Sequence, residues 1–297
     1  MRLATRPSAL ALAQAELVSR ELGGCELVAV STGGDRGAPA QDKSRWVDEI
    51  ERALLDGKAD LAVHSAKDLP GELAEGLELV GAPARAAPED VLCGGAGIEQ
   101  LEPGARVGTS SIRRIAQLRA AREDLEVAEL HGNVDTRLAR LAEPRLGLQA
   151  IVLARAGLQR LGREDSASAS LDPARFVPAP GQGTLALEAR SGDQRAREAA
   201  AAITDAATLA SLMAERALAA ELGADCHTPL GACARPHGEG ELHLRAWVGL
   251  PDGSAWLGDE LYGSVEEPSA LSRAMAARLR AAGAEVLLAR ATEMAGA

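Results

Sequence analysis

Short apolar runs alternate with amphipathic stretches along most of the chain. Residues 1–5 read as a strand, and Ser8–Leu22 as a helix with Leu10, Ala13 and Leu17 on one face, stopped by Gly23-Gly24. Leu27–Val30 is the next strand. Arg45–Asp56 follows as a helix turning Val47, Ile50 and Leu54 inward, and Leu61–Val63 is an interior strand between Gly57 and Pro70. After a strand-like run near Leu77–Val80 the β-α-β-α-β order recurs: strand Ala105–Gly108, helix Ile112–Arg122, strand Leu125–Leu130, helix Val134–Leu141, strand Leu148–Ala154. Behind a Pro/Gly hinge at Phe176–Gly183, Thr184–Ala189 reads as a strand returning to the first sheet. Helices at Gln194–Ile203 and Ala206–Leu222 lead into a segment of different character. There Leu242, Leu244, Ala246 and Val248 alternate as in a half-exposed strand, and Pro251-Asp252-Gly253 turns the chain into a hairpin with Ala255–Tyr262. A helix over Pro268–Ala282 and a strand over Glu285–Ala289 complete the pattern. It predicts an α/β chain of two facing α/β halves, with a small α+β domain at its end.

In an open α/β sheet, side chains just beyond the carboxyl ends of the strands line the ligand crevice. Ser65, Lys67 and Asp68 stand there, directly after the third strand. By residue type alone, Lys67 and Asp68 also read as a solvated charge pair in a turn. What favours a crevice is repetition. Thr5, Arg6 and Ser8 follow the first strand, although Ser8 by itself reads as a helix cap. Thr109, Ser110, Ser111, Arg113 and Arg114 follow a strand of the second half, Arg137 lies on its later helix, and Arg160 comes after its last strand. Arginines at helix starts oppose the helix dipole unless an anion compensates, which points to a ligand carrying several carboxylates. Adjacent helical residues diverge by about 100°, so one of Arg113 and Arg114 is free to pair with a protein carboxylate instead.

Charge and composition narrow the partners. A net charge of −11 disfavours nucleic acid, and aromatic residues at 2% leave few platforms for stacking bases. No apolar run is long enough to span a membrane, and the N-terminus has no apolar signal region, so a cytoplasmic location is expected. Four cysteines (Cys25, Cys93, Cys226, Cys233) make no disulfide scaffold in a chain of 297 residues. Cys226 lies in Asp225-Cys226-His227-Thr228-Pro229, in a loop after the long helix, and three readings are open: a structural thiol, a metal ligand, or the attachment point of a covalent group. The metal set Cys226, His227, Cys233 and His237 lacks paired-ligand spacing, and no metal is expected.

Taken in order, Arg2-Leu3-Ala4-Thr5-Arg6 with Ser8 and Gln14, Val63-His64-Ser65-Ala66-Lys67-Asp68-Leu69-Pro70, Gly108-Thr109-Ser110-Ser111-Ile112-Arg113-Arg114, Gly132-Asn133-Val134-Asp135-Thr136-Arg137, Ala156–Gly162, Pro180-Gly181-Gln182-Gly183 and the loop cysteine resemble the porphobilinogen deaminase (hydroxymethylbilane synthase) family over essentially the full length. The resemblance implies two domains like type II periplasmic binding proteins and a third carrying a dipyrromethane cofactor as a thioether on Cys226. The expected boundaries are 1–84 with 184–204, then 88–178, then 206–297. It implies a transferase that joins four porphobilinogen units with loss of ammonia and releases linear hydroxymethylbilane by hydrolysis. Its partners are porphobilinogen and the growing polypyrrole, and a monomer is expected.

By the same resemblance Asp68 is the catalytic carboxylate, steadying the azafulvene cation left when the amine departs. Ser65, Lys67, Thr109, Ser111, Arg113, Arg114, Gly132 and Arg137 match residues around the cofactor. Arg6, Ser8, Gln14, His131, Arg137, Arg160 and Gln182 match the substrate side. Two features depart from the family: His131 stands where an arginine is common, and Asp42-Lys43-Ser44-Arg45-Trp46 replaces the usual glycine-rich lid, with Lys43 and Trp46 as its expected basic and aromatic members. The competing reading is a non-catalytic module that closes on a small carboxylate and needs no thiol.

Overall fold

The computed structural model describes residues 1–35, 46–225 and 228–296. In chain order, β1 (Arg2–Thr5), α1 (Ala9–Glu21), β2 (Glu26–Ala29), α2 (Asp48–Leu55), β3 (Leu61–Ser65) and β4 (Leu77–Gly81) open the molecule. Next come β5 (Asp90–Cys93), β6 (Arg106–Gly108), α3 (Ile112–Ala121), β7 (Glu126–Ala128), α4 (Val134–Leu141), β8 (Ala150–Ala154), α5 (Arg155–Arg160) and β9 (Ala169–Ser170). The chain then runs through β10 (Leu185–Arg190), α6 (Gln194–Ile203), α7 (Ala206–Glu221), β11 (Leu230–His237), β12 (Glu241–Gly249), β13 (Trp256–Ser264), α8 (Pro268–Ala281) and α9 (Ala284–Gly296).

These strands form a sheet of order β2-β1-β3-β10-β4, a second of order β7-β6-β8-β5-β9, and a third of order β11-β12-β13. The first two share one plan. β1 pairs in parallel with β2 and β3, and β6 with β7 and β8, while β10 and β5 each insert antiparallel beside the third parallel strand. The chain therefore crosses between the sheets twice, once into β5 and once back into β10. Two such α/β units and a three-stranded α+β unit make up the expected fold class.

Burial explains the strand composition. Leu3, Leu61, Val63, Leu185 and Leu187 pack under α1 and α6, and on the other face Ala4, Ala62 and Leu77 meet Ile50 and Leu54 of α2. Strands covered on both faces read as continuous apolar runs. In the third unit Leu242, Leu244, Ala246 and Val248 pack against Leu218, Met275 and Leu279, which accounts for their alternation.

The structure corrects one element. Glu285–Ala289 belongs to a helix, α9, in which Ala284, Leu288 and Ala291 turn to the core at helical spacing. A short apolar run does not by itself distinguish strand from helix. Three further strands, β5, β9 and β11, go beyond the sequence pattern. β5 is four residues long, and β11 holds Gly231 and Pro236, residues that a strand tolerates at a sheet edge, where β11 lies. Among the described residues no helix is long and apolar enough to cross a membrane.

Candidate active site

The site is built from strand ends. β3 lies between β1 and β10 and breaks at Ser65 into a tight turn, Ala66–Asp68. Ala66 N donates to Thr184 O at 3.0 Å and Leu69 N to Ala66 O at 3.3 Å, while the side chains of Ala66 and Leu69 are buried. The hinge loop presses on this turn: a Cβ on Gly181, whose φ is +75°, would lie 2.9 Å from the backbone of Ala66 and Lys67. Only glycine accepts both that conformation and that approach. With the turn fixed at both ends, Lys67 and Asp68 point away from the sheet into a cavity of about 290 Å³.

Ser110, Ser111, Arg113, Arg114 and Arg137 line that cavity from the second unit, Gln182 lines it from the hinge, and Arg216 from α7. Smaller cavities of about 50 and 70 Å³ adjoin it. The first brings Arg6, Ser8, Gln14, Trp46 and Ser65 to Asp68; the second joins Gln14, Ser65 and Lys67 to Arg137 and Arg160. Asp225 and Thr228, on either side of Cys226, line the main cavity and hold each other through a 2.8 Å hydrogen bond. Cys226 and Lys43 lie outside the described residues.

The cations here divide into committed and uncommitted. Arg113 and Arg114 turn from the first turn of α3 to a single carboxylate, Asp90 at the start of β5, at 2.8 and 2.7 Å. Other donors of theirs reach Val177 O, Gln117 and Val152 O, Arg113 Nε is left buried without a hydrogen-bond partner among the described residues, and Gln182 Nε2 adds a 2.8 Å bond to Asp90. Burial pushes the Asp90 carboxyl up, but the two guanidinium groups outweigh it and hold it far below the usual carboxylate range. These arginines wall the cavity while balancing an internal charge.

Lys67, Arg137 and Arg160 are different. Lys67 makes no hydrogen bond or ion pair with a described residue, and burial, with Arg114 nearby, pulls its ammonium down to about 8 despite Asp68. Arg137 reaches Ser110 Oγ at 3.3 Å and keeps a buried Nε without a partner; burial brings it down to about 10. Arg160 donates to Gly183 O at 2.6 Å and is likewise lowered to about 10 by burial. Gln14 Nε2 is buried without a partner as well. Desolvated cations and an orphaned amide around one cleft are a donor set for anions. Within it Asp68 makes no hydrogen bond or ion pair with a described residue.

Other sequence-selected residues shape the backbone around the site or lie outside it. Ser8 caps α1, accepting from Ala11 N at 3.3 Å. Thr109 is buried and accepts from Ser111 N. Gly132, at φ +110°, shapes the turn into α4, where a Cβ would meet Thr136 at 2.8 Å. His131 is exposed with Nε2 3.4 Å from Glu129. Neither Gly132 nor His131 lines the three cavities. Asp90 and Arg216 are the residues that sequence reasoning passes over. The signal for Asp90 is an acid opening an apolar run, Asp90-Val91-Leu92-Cys93; Arg216 sits in an alanine-rich helix and gives none.

Comparison with known proteins adds the family. Residues 1–198 match the family model described as "Porphobilinogen deaminase, dipyromethane cofactor binding domain", and 209–281 match "Porphobilinogen deaminase, C-terminal domain". The porphobilinogen deaminase of Thermus thermophilus is 42% identical over 96% of this chain and 97% of that protein, and that of Xanthomonas oryzae pv. oryzae 44% over 97% and 98%. Among solved structures, immunogenic lipoprotein A from Vibrio vulnificus is similar at 12% identity and TM-score 0.43, covering 70% of this chain and 96% of that one. The methionine binding protein MetQ is similar at 15% and 0.42, covering 68% and 89%. With both family models matched in order and identities above 40% across nearly its whole length, the chain belongs to the porphobilinogen deaminase family.

Proposed function

We propose that this chain is a hydroxymethylbilane synthase. It joins four porphobilinogen molecules head to tail, with loss of ammonia, onto a covalently held dipyrromethane, and then releases the linear tetrapyrrole hydroxymethylbilane by hydrolysis. The observation that carries this reading is the Asp68 carboxylate on a strand-end turn, without an ion-pair partner among the described residues, facing a cleft where Lys67, Arg137 and Arg160 have no carboxylate partner among those residues.

The residues present fit a dipyrromethane. That group carries several carboxylates, and Lys67 without a partner, Arg137 with an orphaned Nε, Ser65 and Ser111 are the donors that would hold them. Arg113 and Arg114 form the wall beside them, and Thr109 and Gly132 shape the neighbouring turns. Cys226 would supply the thioether, since its neighbours Asp225 and Thr228 line the same cavity. When bound, the group supplies the pyrrole carbon onto which the chain is built.

Arg6, Ser8, Gln14, Arg160 and Gln182 then serve the incoming porphobilinogen, whose acetate and propionate need donors. His131, exposed and lining none of the three cavities, lies outside this donor set. Asp68 stands where positive charge develops as the amine leaves, and its carboxylate steadies that charge without reorganising. It also accepts the proton released from the pyrrole carbon at each joining. Lys43 and Trp46 are assigned to the lid. A cleft assembled within one chain accords with a monomer acting on a soluble substrate in the cytoplasm.

Intact mass and one variant test the reading together. The purified protein is expected to exceed its sequence mass by a dipyrromethane, and Asp68→Ala to keep that excess while losing turnover. An active protein with an unmodified Cys226, or a fully active Asp68→Ala, would overturn it.

A further inference from the structure

Arg6 follows β1 directly, and its guanidinium is held on two sides. Asp35 takes the edge formed by Nε and Nη2: Oδ2 accepts from Nε at 3.3 Å and Oδ1 accepts a short bond from Nη2. The Trp46 ring covers one face, with Cζ of Arg6 4.1 Å from the ring centroid. Nη1 makes no hydrogen bond to a described residue, so the second edge of the fork is left for another anion. Arg6 lines the small cavity that Ser8, Gln14 and Asp68 also line.

The clamp is itself anchored. Asp35 accepts from Thr32 N at 3.1 Å and Thr32 Oγ1 at 2.8 Å, and Gly33 N donates to Glu49 of α2 at 3.1 Å. Burial pushes the Asp35 carboxyl up, but the bonds from Arg6 and Thr32 outweigh it and keep the group charged. A Cβ on Gly34 would fall 2.1 Å from the Trp46 ring, so the loop backbone is shaped around that indole. These contacts are independent of one another and converge on one side chain.

We infer that Asp35 and Trp46 are positioning residues for Arg6, fixing its guanidinium so that the Nη1 edge meets a carboxylate of the incoming substrate. The inference rests on the proposed activity and deepens it. An unclamped arginine would have to be ordered on each binding event, so the clamp acts on substrate binding rather than on the chemical step.

The test is steady-state kinetics with porphobilinogen on the cofactor-loaded protein, loading being checked by intact mass. Asp35→Asn keeps an oxygen for Thr32 but removes the charge that holds Arg6. It is expected to raise KM about tenfold, the scale of one lost charge-assisted contact, with kcat little changed. Trp46→Leu is expected to raise KM in the same way, and Trp46→Phe, which keeps a ring face, to restore most of the loss. A lowered KM in Asp35→Asn would overturn the inference by showing that Asp35 competes with substrate. An unchanged KM in both Asp35→Asn and Trp46→Leu, with wild-type protein active, would overturn it while leaving the proposed activity intact. An inactive wild-type holoprotein would overturn both.

Discussion

Arg85 and Glu215 meet at 2.7 Å where the β4–β5 connection, the hinge and β11 come together. Arg85, in the connection from β4 to β5, also donates to Gln182 O in the hinge at 2.8 Å and to Ala234 O in β11 at 3.0 Å. Glu215, fully buried on α7, accepts from Gly181 N at 2.6 Å and Ala234 N at 2.7 Å. Replacing Arg85 with Met strands a buried carboxylate and is expected to destabilise the protein by about 3–5 kcal/mol. A Glu215→Gln change on top should recover part of it. Denaturation midpoints of the single and double variants check this.

Lys67 gives a prediction about pH. Its folded value of about 8 lies below the ordinary lysine value, so between the two the unfolded chain binds more protons and stability rises with pH. Below about 8 the buried ammonium is a full burden on the fold. Lys67→Met is therefore expected to melt above wild type at pH 7, with the advantage shrinking as pH climbs through the window toward the unfolded value, while turnover falls. Melting curves at a series of pH values measure it. A difference that does not vary with pH would contradict the assignment.

Gly181 ties the hinge to the turn that carries Asp68. In Gly181→Ala the new methyl meets the backbone of Ala66 and Lys67 at 2.9 Å, and the positive φ adds about 1–2 kcal/mol of strain. Because the turn carries Asp68, kcat is expected to fall severalfold with KM less affected. Kinetics alongside melting temperature separate displacement of the turn from general loss of stability.

Much of this was legible in the chain, for physical reasons. Strands buried on both faces announce themselves as apolar runs, and the polar residues that end them mark the crevice, so Asp68, Lys67 and Arg137 could be read off as neighbours of strand ends. Partnership across the chain could not. Arg113 and Arg114 have the composition of an anion site, yet their charge answers Asp90, which adjoins them only because β5 inserts beside β8. β11 was hidden by Gly231, whose lack of a side chain lets the strand pass close to Val177 O, where a Cβ would fall at 2.6 Å. Asp35 gave no signal because a Gly-Gly-Asp turn looks the same whether its acid faces water or an arginine.

The double crossing of the chain has a mechanical consequence. Two ribbons joining the same pair of bodies allow rotation about the line through them and resist swinging or sliding. The Ala66 to Thr184 hydrogen bond puts the turn that carries Asp68 beside one of those ribbons. A group on the axis of a door scarcely travels while the far rim sweeps widely, so any such rotation would displace the turn that carries Asp68 less than the rim of the cleft.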